Sequence, residues 1–174
     1  MSTFDSTKTR LATLLDDIVV GKIQLPDFQR GWVWDDQHIR SLLVSIARAF
    51  PVGAIMLLEA GGDAKFKARP IEGVDSAKAT SSKLEKLILD GQQRLTSLTQ
   101  VLMFKQPVQT RDYKKKILQR YYYIDIETAL SGQENYENAI VSIDSDRIQR
   151  ENFGRDIKLD LSTPEKEYEN FFFP

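Results

Sequence analysis

The stretch "LILDGQQRLTSLTQVL", Leu87–Leu102, constrains the fold of this chain more than any other. An apolar run ends at Asp-Gly, and an amphipathic pattern begins directly after it. A change from an apolar run to a period of 3.6 residues predicts a buried strand, a tight turn and a helix. We expect the strand over residues 83–90 and the helix over residues 91–105, with Pro107 closing it.

Similar patterns predict further elements before this unit. Ser6 is expected to cap a first helix, whose apolar positions are Leu11, Leu14, Leu15 and Ile18. Asp35 or Asp36 is expected to cap a second helix, which ends at Phe50-Pro51. Between them, "KIQLPDFQRGWVW" is expected to be extended and irregular, because Pro26 and Gly31 break regular structure. "VGAIMLLE", residues 52–59, is typical of a buried strand, and residues 61–82 of a loop or loose hairpin.

Three segments after Lys105 are predicted to be strands: "RYYYIDIETAL", "NAIVSID" and "DIKLDLS". The chain ends in "EYENFFFP". Three phenylalanines beside a terminus are expected to pack against a partner surface. We therefore expect the chain to be cut from a longer protein, with Phe171–Phe173 frayed or lying against another chain.

Composition excludes several classes of site. A hydrophobic content of 41% with 28% charged residues is ordinary for a soluble globular protein. The absence of cysteine excludes disulfides and thiol catalysis, and a single histidine, His38, argues against a zinc site, a Ser-His-Asp triad or a histidine-dependent nuclease centre. No apolar run approaches the ~20 residues of a membrane span, and no signal peptide is evident, so we expect a cytoplasmic chain.

The turn at Asp90–Arg94 has two interpretations. In the first it is a capping box, in which Asp90 caps the helix and Gln93 reaches back to the Asp90 N–H. In the second it is an anion site: Gly91 admits a ligand close to the backbone, first-turn N–H groups point at a phosphate, and Arg94 adds a two-pronged donor. The capping box does not explain Gln92 or Arg94, since a cation in the first turn is unfavourable without an anion.

The stretch "LPDFQRGWVW" also allows two interpretations. Phe28, Trp32 and Trp34 can simply pin a loop by burying their rings. Alternatively, they line a pocket for a base, a nucleotide or a modified DNA group, with Gln29 and Arg30 as donors.

Basic residues are concentrated after the predicted third helix. The net charge of the chain is −1, but the segment from Lys105 to Arg120 contains six basic residues and only one acidic residue, an aspartate. Lys114, Lys115 and Lys116 are either a solvated face or a contact to a DNA backbone.

Taken together, "IQLPDFQRGWVW", "LLVSI", "FPVGAIMLL" and "LILDGQQRLTSL" resemble the N-terminal domain of GmrSD-type restriction enzymes, a family with SspE- and BrxU-like phage-defence proteins. The order is also similar to the ParB/sulfiredoxin fold. The resemblance covers residues 11–105. It implies an α+β fold: a ParB/sulfiredoxin-like core of a small mixed sheet with flanking helices over residues 1–106, followed by a smaller, β-containing extension over residues 107–174.

The resemblance also implies a nucleoside triphosphate site, and a carboxylate at Asp90 beside a phosphate points to Mg²⁺ as cofactor. Asp90 and Gln93 are the implied catalytic residues, and Asp90 is the metal ligand. The implied phosphate-binding residues are Gln29, Arg30, Gly91, Gln92, Arg94 and Thr96. From the residues themselves, Asp90 either caps the helix, holds a divalent ion or, less favoured, activates water.

The leading hypothesis is an NTP-binding and NTP-hydrolysing regulatory domain of a protein that restricts modified DNA in phage defence. The alternatives are a non-catalytic DNA-binding module that senses a modification through its aromatic pocket, and a plain assembly domain. Expected partners are DNA, a C-terminal nuclease domain that this chain lacks, and a second copy in a homo-oligomer.

Overall fold

A computed structural model describes residues 5–32, 34–61 and 66–174 of the chain. In this part the helices are α1 Leu11–Val19, α2 Asp36–Ala47, α3 Ser76–Ser81, α4 Gln92–Met103, α5 Ile126–Leu130, α6 Tyr136–Ala139 and α7 Pro164–Glu169. The strands are β1 Ile23–Pro26, β2 Met56–Glu59, β3 Ala68–Arg69, β4 Lys86–Asp90, β5 Val108–Arg111, β6 Ile117–Asp125, β7 Ile140–Asp144, β8 Ile148–Glu151, β9 Asp156–Asp160 and β10 Phe172–Phe173. The fold is therefore α+β, as the sequence predicts.

The chain divides into two compact units. The first comprises Met1–Trp32 and Ala54–Met103, and the second comprises Val33–Gly53 and Phe104–Pro174. Helix α2 thus groups with the C-terminal half of the chain. No helix in the described part is long and apolar enough to cross a bilayer.

The first unit contains a mixed four-stranded sheet in the order β2-β4-β1-β3. Strands β1 and β4 run parallel, with Ile23 opposite Lys86, while β2 and β3 are antiparallel to their neighbours. All four residues of β1 are buried, which fits its position inside the sheet. The predicted small mixed sheet is confirmed.

Helices α1 and α4 pack on each other beside this sheet. Leu15 and Ile18 of α1 and Leu95 and Leu98 of α4 are at most 2% exposed, so apolar burial holds the helices together. This core fixes the start of α4 relative to the sheet.

Four expectations for this unit need correction. Ser6 does not cap α1, whose N-cap is Arg10, without a side-chain cap hydrogen bond. The segment expected to be irregular contains β1, because its parallel pairing with β4 leaves no local signal. Strand β2 is shorter than residues 52–59 and only half-buried. The expected loop at residues 61–82 contains β3 and α3, while residues 62–65 lie outside the described part.

The second unit is built on strand β6, which pairs antiparallel with β5, β7 and β10. A separate hairpin joins β8 and β9. Helix α2 packs on β7, and Asp36 accepts hydrogen bonds from Tyr122 Oη at 3.0 Å and Ser142 Oγ at 2.9 Å. Burial, together with the Asp36 carboxylate, raises the pKa of Tyr122, so its phenol stays protonated and donates.

Two predictions for the second unit are modified. The strand predicted over "RYYYIDIETAL" ends at Asp125, because the Asp125 side chain accepts from Thr128 N and caps α5. The expectation that Phe171–Phe173 has no partner within the chain is wrong for Phe172, which packs against the core of Tyr123, Ile143 and Leu161. The rings of Phe171 and Phe173 are 52% and 65% exposed.

Candidate functional site

The turn between β4 and α4 depends on Gly91. Its φ of +91° is a left-handed conformation that side-chain-bearing residues rarely adopt, and a Cβ here would collide with the Ile55 side chain. The Gly91 carbonyl accepts from Leu95 N at 3.0 Å, which is the first hydrogen bond of α4. Gly91 therefore occupies the N-cap position that the capping-box interpretation assigned to Asp90.

Arg94 has partners within the first unit. Its Nη2 lies 3.2 Å from Asp90 Oδ2 and donates to the Ala54 carbonyl at 2.9 Å. The Arg94 side chain is 18% exposed and that of Asp90 is 70% exposed. The anion expected beside Arg94 is thus supplied in part by Asp90, four residues before it at the end of β4.

The three glutamines of the predicted site join its two segments. Gln29 Nε2 donates to the carbonyls of Ile88 at 2.7 Å and Leu89 at 3.1 Å, at the end of β4. In the opposite direction, Gln92 Nε2 donates to Arg30 O at 2.6 Å and Gln93 Nε2 to Gly31 O at 3.4 Å. The Gln29–Arg30 loop therefore lies directly against the start of α4.

A second set of contacts holds the same loop from its other side. Arg69 Nη2 donates to the carbonyls of Gln29 at 3.2 Å and Arg30 at 3.3 Å, and its Nη1 lies 3.2 Å from Glu72 Oε1. The same carboxylate oxygen accepts from Trp32 N at 3.1 Å. Sequence reasoning missed Arg69 and Glu72 because they lie in a segment interpreted as loop, about 40 residues from their partners. Their i, i+3 charge pairing was the only local signal.

The remaining predicted residues of the first unit differ in exposure. Trp32 is half-buried and donates from Nε1 to Ser97 Oγ at 3.0 Å. Phe28 is 63% exposed and meets the Phe66 ring edge-on at 5.2 Å. Thr96 is fully buried, and its hydroxyl has no hydrogen-bond partner in the described ranges, so phosphate reaches it only if the helix start opens.

Other predicted residues belong to the second unit. Trp34 is half-buried there, with its ring 5.7 Å from that of His38. Lys114, Lys115 and Lys116 are exposed in the tight β5–β6 connection, where Asp112 Oδ1 accepts from the backbone N–H groups of Lys114 and Lys116. Lysines presented by such a turn are available to phosphates.

The side chains near the turn can coordinate a divalent cation only together with the phosphates of a bound nucleotide. No group of three or more metal-ligating side chains occurs among the described residues. Mg²⁺ is commonly bound by one or two carboxylates together with substrate phosphates and water, and the exposed carboxylate of Asp90 fits that mode. Asp90 would then exchange its contact with Arg94 for the cation.

The mixed sheet, together with the turn that is hydrogen-bonded to the Gln29–Arg30 loop, defines an α+β domain with two arginine-bearing segments side by side. The family model described as "GmrSD restriction endonuclease, N-terminal domain" matches residues 11–172. The chain belongs to this family, and the resemblance extends well beyond residues 11–105. A similar protein is the uncharacterized protein MJ0686 of Methanocaldococcus jannaschii, 29% identical over 171 residues that cover 94% of this chain. The chain spans 27% of the length of that relative.

Proposed function

We propose that the first unit binds a nucleoside triphosphate at the β4–α4 turn and the Gln29–Arg30 loop, and hydrolyses it with Mg²⁺. The observation that carries the proposal is the hydrogen bond from Gln92 Nε2 to Arg30 O, which holds an exposed arginine beside the turn that carries Arg94. None of the ion pairs among the described residues involves Arg30, so its charge is available to a phosphate.

The contacts of the glutamines refine their proposed roles. Gln92 and Gln93 each donate one amide N–H to a loop carbonyl, so their first role in this proposal is to position the loop. The Oε1 atom of Gln29 is buried and has no partner in the described part of the chain. Like the Thr96 hydroxyl, it can accept from a ribose hydroxyl or a base amino group only if the loop opens.

Asp90 has two roles in this proposal. Without nucleotide it pairs with Arg94, and with nucleotide it becomes the single protein ligand of Mg²⁺ while Arg94 turns to the phosphates. Mg²⁺ would offset phosphate charge. The contribution of the chain itself is to orient the triphosphate through Arg30 and Arg94. The ParB/sulfiredoxin-like architecture belongs to the same proposal, since that fold builds its pocket from an arginine loop and a glycine turn.

In the longer protein, the nucleotide state of this domain would regulate restriction of modified DNA by a C-terminal nuclease domain. Family membership supports this role, and the 27% share of the relative's length fits a longer protein. Such a protein would act in the cytoplasm on phage DNA, as a monomer or homo-oligomer.

A panel of melting curves tests nucleotide binding. Each NTP at a hundred times its Kd stabilises the folded state by ~2.7 kcal/mol, which raises Tm by about 5–10 °C for a chain of this size. Arg30→Gln should abolish most of this shift and slow phosphate release. Arg10→Gln, which changes another exposed arginine of the first unit, should leave both unchanged. No shift with any NTP and Mg²⁺ would refute the proposal.

The exposed Phe28–Phe66 pair favours a second function, in which the first unit senses a DNA modification. Two adjoining rings that are 63% and 41% exposed offer a stacking surface to a base. Phe28→Ala should then reduce the preference for duplexes with a modified base over unmodified ones, without altering the NTP-induced shift in Tm. An unchanged preference would exclude this function.

A further inference from the structure

A polar cavity of about 340 Å³ lies within the second unit, between α2 and α6. Part of its wall is a single face of α2, since residues 37, 41 and 48 recur at helical spacing. The residues that matter here are Gln37, Arg40, Ser41, Arg48, Phe50 and Glu137. The lining is largely polar, and Gln37, Ser41, Phe50 and Glu137 are exposed, so a ligand can enter from solvent.

Arg40 is a fixed positive charge at one end of this cavity. Its Nε donates to Ile140 O at 3.0 Å and its Nη2 to Glu137 O at 3.2 Å. Both acceptors are neutral carbonyls, and Arg40 forms no ion pair within the described ranges. The guanidinium is therefore oriented without being neutralised, which is the arrangement that recognises an anion.

Arg48 and Phe50 form a flat platform at the other end. The Arg48 guanidinium carbon lies 4.5 Å from the centroid of the Phe50 ring, and that ring is 51% exposed. A stacked arginine keeps its edge N–H groups available for hydrogen bonds. Arg48 also forms no ion pair among the residues described.

The backbone turns back directly after α2. Ala49 has a φ of +54°, although alanine lacks the freedom of glycine in that region. This conformation turns the chain back, and Phe50 N donates to Ser45 O at 2.8 Å. With Ala49 N donating to Ile46 O at 2.9 Å, these bonds form an ordinary C-terminal cap of α2, and this cap places Phe50 two residues after Arg48.

We infer that this cavity binds a nucleotide unit, with its phosphate at Arg40 or Arg48 and its base stacked on the Phe50 platform. The two arginines are eight residues apart, about 12 Å along the axis of α2, so a ligand that contacts both must be elongated. A cavity of about 340 Å³ has the size of a small-ligand site. The proposal is independent of the triphosphate site in the first unit.

Among the described residues that line the cavity, Glu137 is the one carboxylate, and it opposes the ligand's charge. Two arginines outweigh it, so the cavity retains a net positive charge. Glu137→Gln should consequently tighten binding, which no purely structural role of this cavity predicts.

The test is fluorescence anisotropy of the whole chain with a labelled thymidine decamer across a salt series, with the unlabelled decamer, dTMP and inorganic phosphate as competitors. Arg48→Gln should weaken binding about tenfold or more and reduce the salt slope by about 0.7, one phosphate contact on a single strand. Phe50→Leu should weaken binding about fivefold or more and leave the slope unchanged. Arg155→Gln, an exposed arginine of the same unit outside the cavity, is the matched control.

Binding that persists in Arg94→Ala but fails in Arg48→Gln supports this second site whatever happens at the first unit. Competition by the decamer alone identifies a strand as the source of the nucleotide unit, and equal competition by dTMP identifies a free nucleotide. If inorganic phosphate competes as well as dTMP, the stacking assignment is overturned. Wild-type affinity in both Arg48→Gln and Phe50→Leu overturns the proposal, and neither variant removes an anchor of α2 as Arg40→Gln would.

Discussion

Gln92 donates a hydrogen bond from Nε2 to the carbonyl oxygen of Arg30 at 2.6 Å, joining positions 62 residues apart in the chain. Gln92 is 9% exposed, so this bond is shielded from water, and water competes little for its donor and acceptor. Because the loop and the turn supply one arginine each, the arrangement of both arginines depends on this contact.

Gln92→Met tests that dependence. Methionine keeps the volume of the side chain but removes the donor, so we expect a loss of about 1 kcal/mol in the free energy of unfolding. The loosened loop should also be cut faster by trypsin after the exposed Arg30. Gln109→Met, on an exposed position of β5, is the control. Unchanged cleavage after Arg30 would show that the other contacts hold the loop without Gln92.

Gly91→Ala should lower the free energy of unfolding more than Gly61→Ala does. Both glycines have φ near +90°, but an added Cβ at Gly61 meets nothing within 4 Å, whereas one at Gly91 meets Ile55 Cδ1. The positive φ alone costs about 1–2 kcal/mol. Chemical denaturation of both variants measures the difference, and an Ile55→Val background, which lacks Cδ1, should reduce it. Equal losses in the two variants would mean that Ile55 moves aside freely.

Asp35 gives the second unit a pH-dependent helix cap. Burial raises the pKa of this carboxyl, but hydrogen bonds from the backbone and ring of His38 outweigh burial and hold the pKa below its ordinary value. A lowered folded-state pKa means that this stabilisation is complete above the ordinary pKa of ~3.9 and is lost as pH falls through the folded-state pKa. Asp35→Ala should therefore cost about 1 kcal/mol at pH 7 and less at pH 3. A cost that does not shrink on acidification would contradict the ionised cap.

The lysines at 114–116 are expected to contact a DNA backbone in the longer protein. Changing all three to glutamine should weaken duplex binding and lower the salt slope by up to about 0.9 for each phosphate that the variant no longer neutralises. Salt-dependent binding isotherms measure both quantities. An unchanged slope would instead identify these lysines as a solvated turn, whose shape Asp112 maintains by accepting from two of their backbone N–H groups.

Sequence patterns predicted the elements with strong local signals. The β4–α4 unit shows this well, since the apolar run, Asp-Gly and the helical period occur within one short stretch. Strand β1 was missed because its regularity comes from parallel pairing with β4, about 60 residues away. The same distance explains why the glutamines were interpreted as ligand-binding groups, since nothing local shows that Gln29 and Gln92 donate to backbone carbonyls.

The sequence indicated only one of the two partners of Arg94. An arginine in the first turn of a helix signals that an anion is nearby, and Asp90 at i−4 is in the sequence. The Ala54 carbonyl could not be foreseen, because it depends on how the chain enters β2. The sequence therefore overstated the need for an external ligand at Arg94, and Arg30 carries the argument for one.

Nucleotide affinity and phosphate release of Arg94→Ala, Asp90→Asn and Arg150→Ala test the phosphate site most directly. Arg150→Ala is the matched control, because it removes another i, i+4 arginine–aspartate pair, with Asp146. Arg94→Ala should raise Kd ten- to a hundredfold, as expected when a charge-assisted interaction of roughly 1.5–3 kcal/mol is removed. Asp90→Asn should bind nucleotide but release no phosphate, and Arg150→Ala should behave as wild type. Wild-type affinity and turnover in Arg94→Ala would contradict the account and leave Arg94 as a structural partner of Asp90.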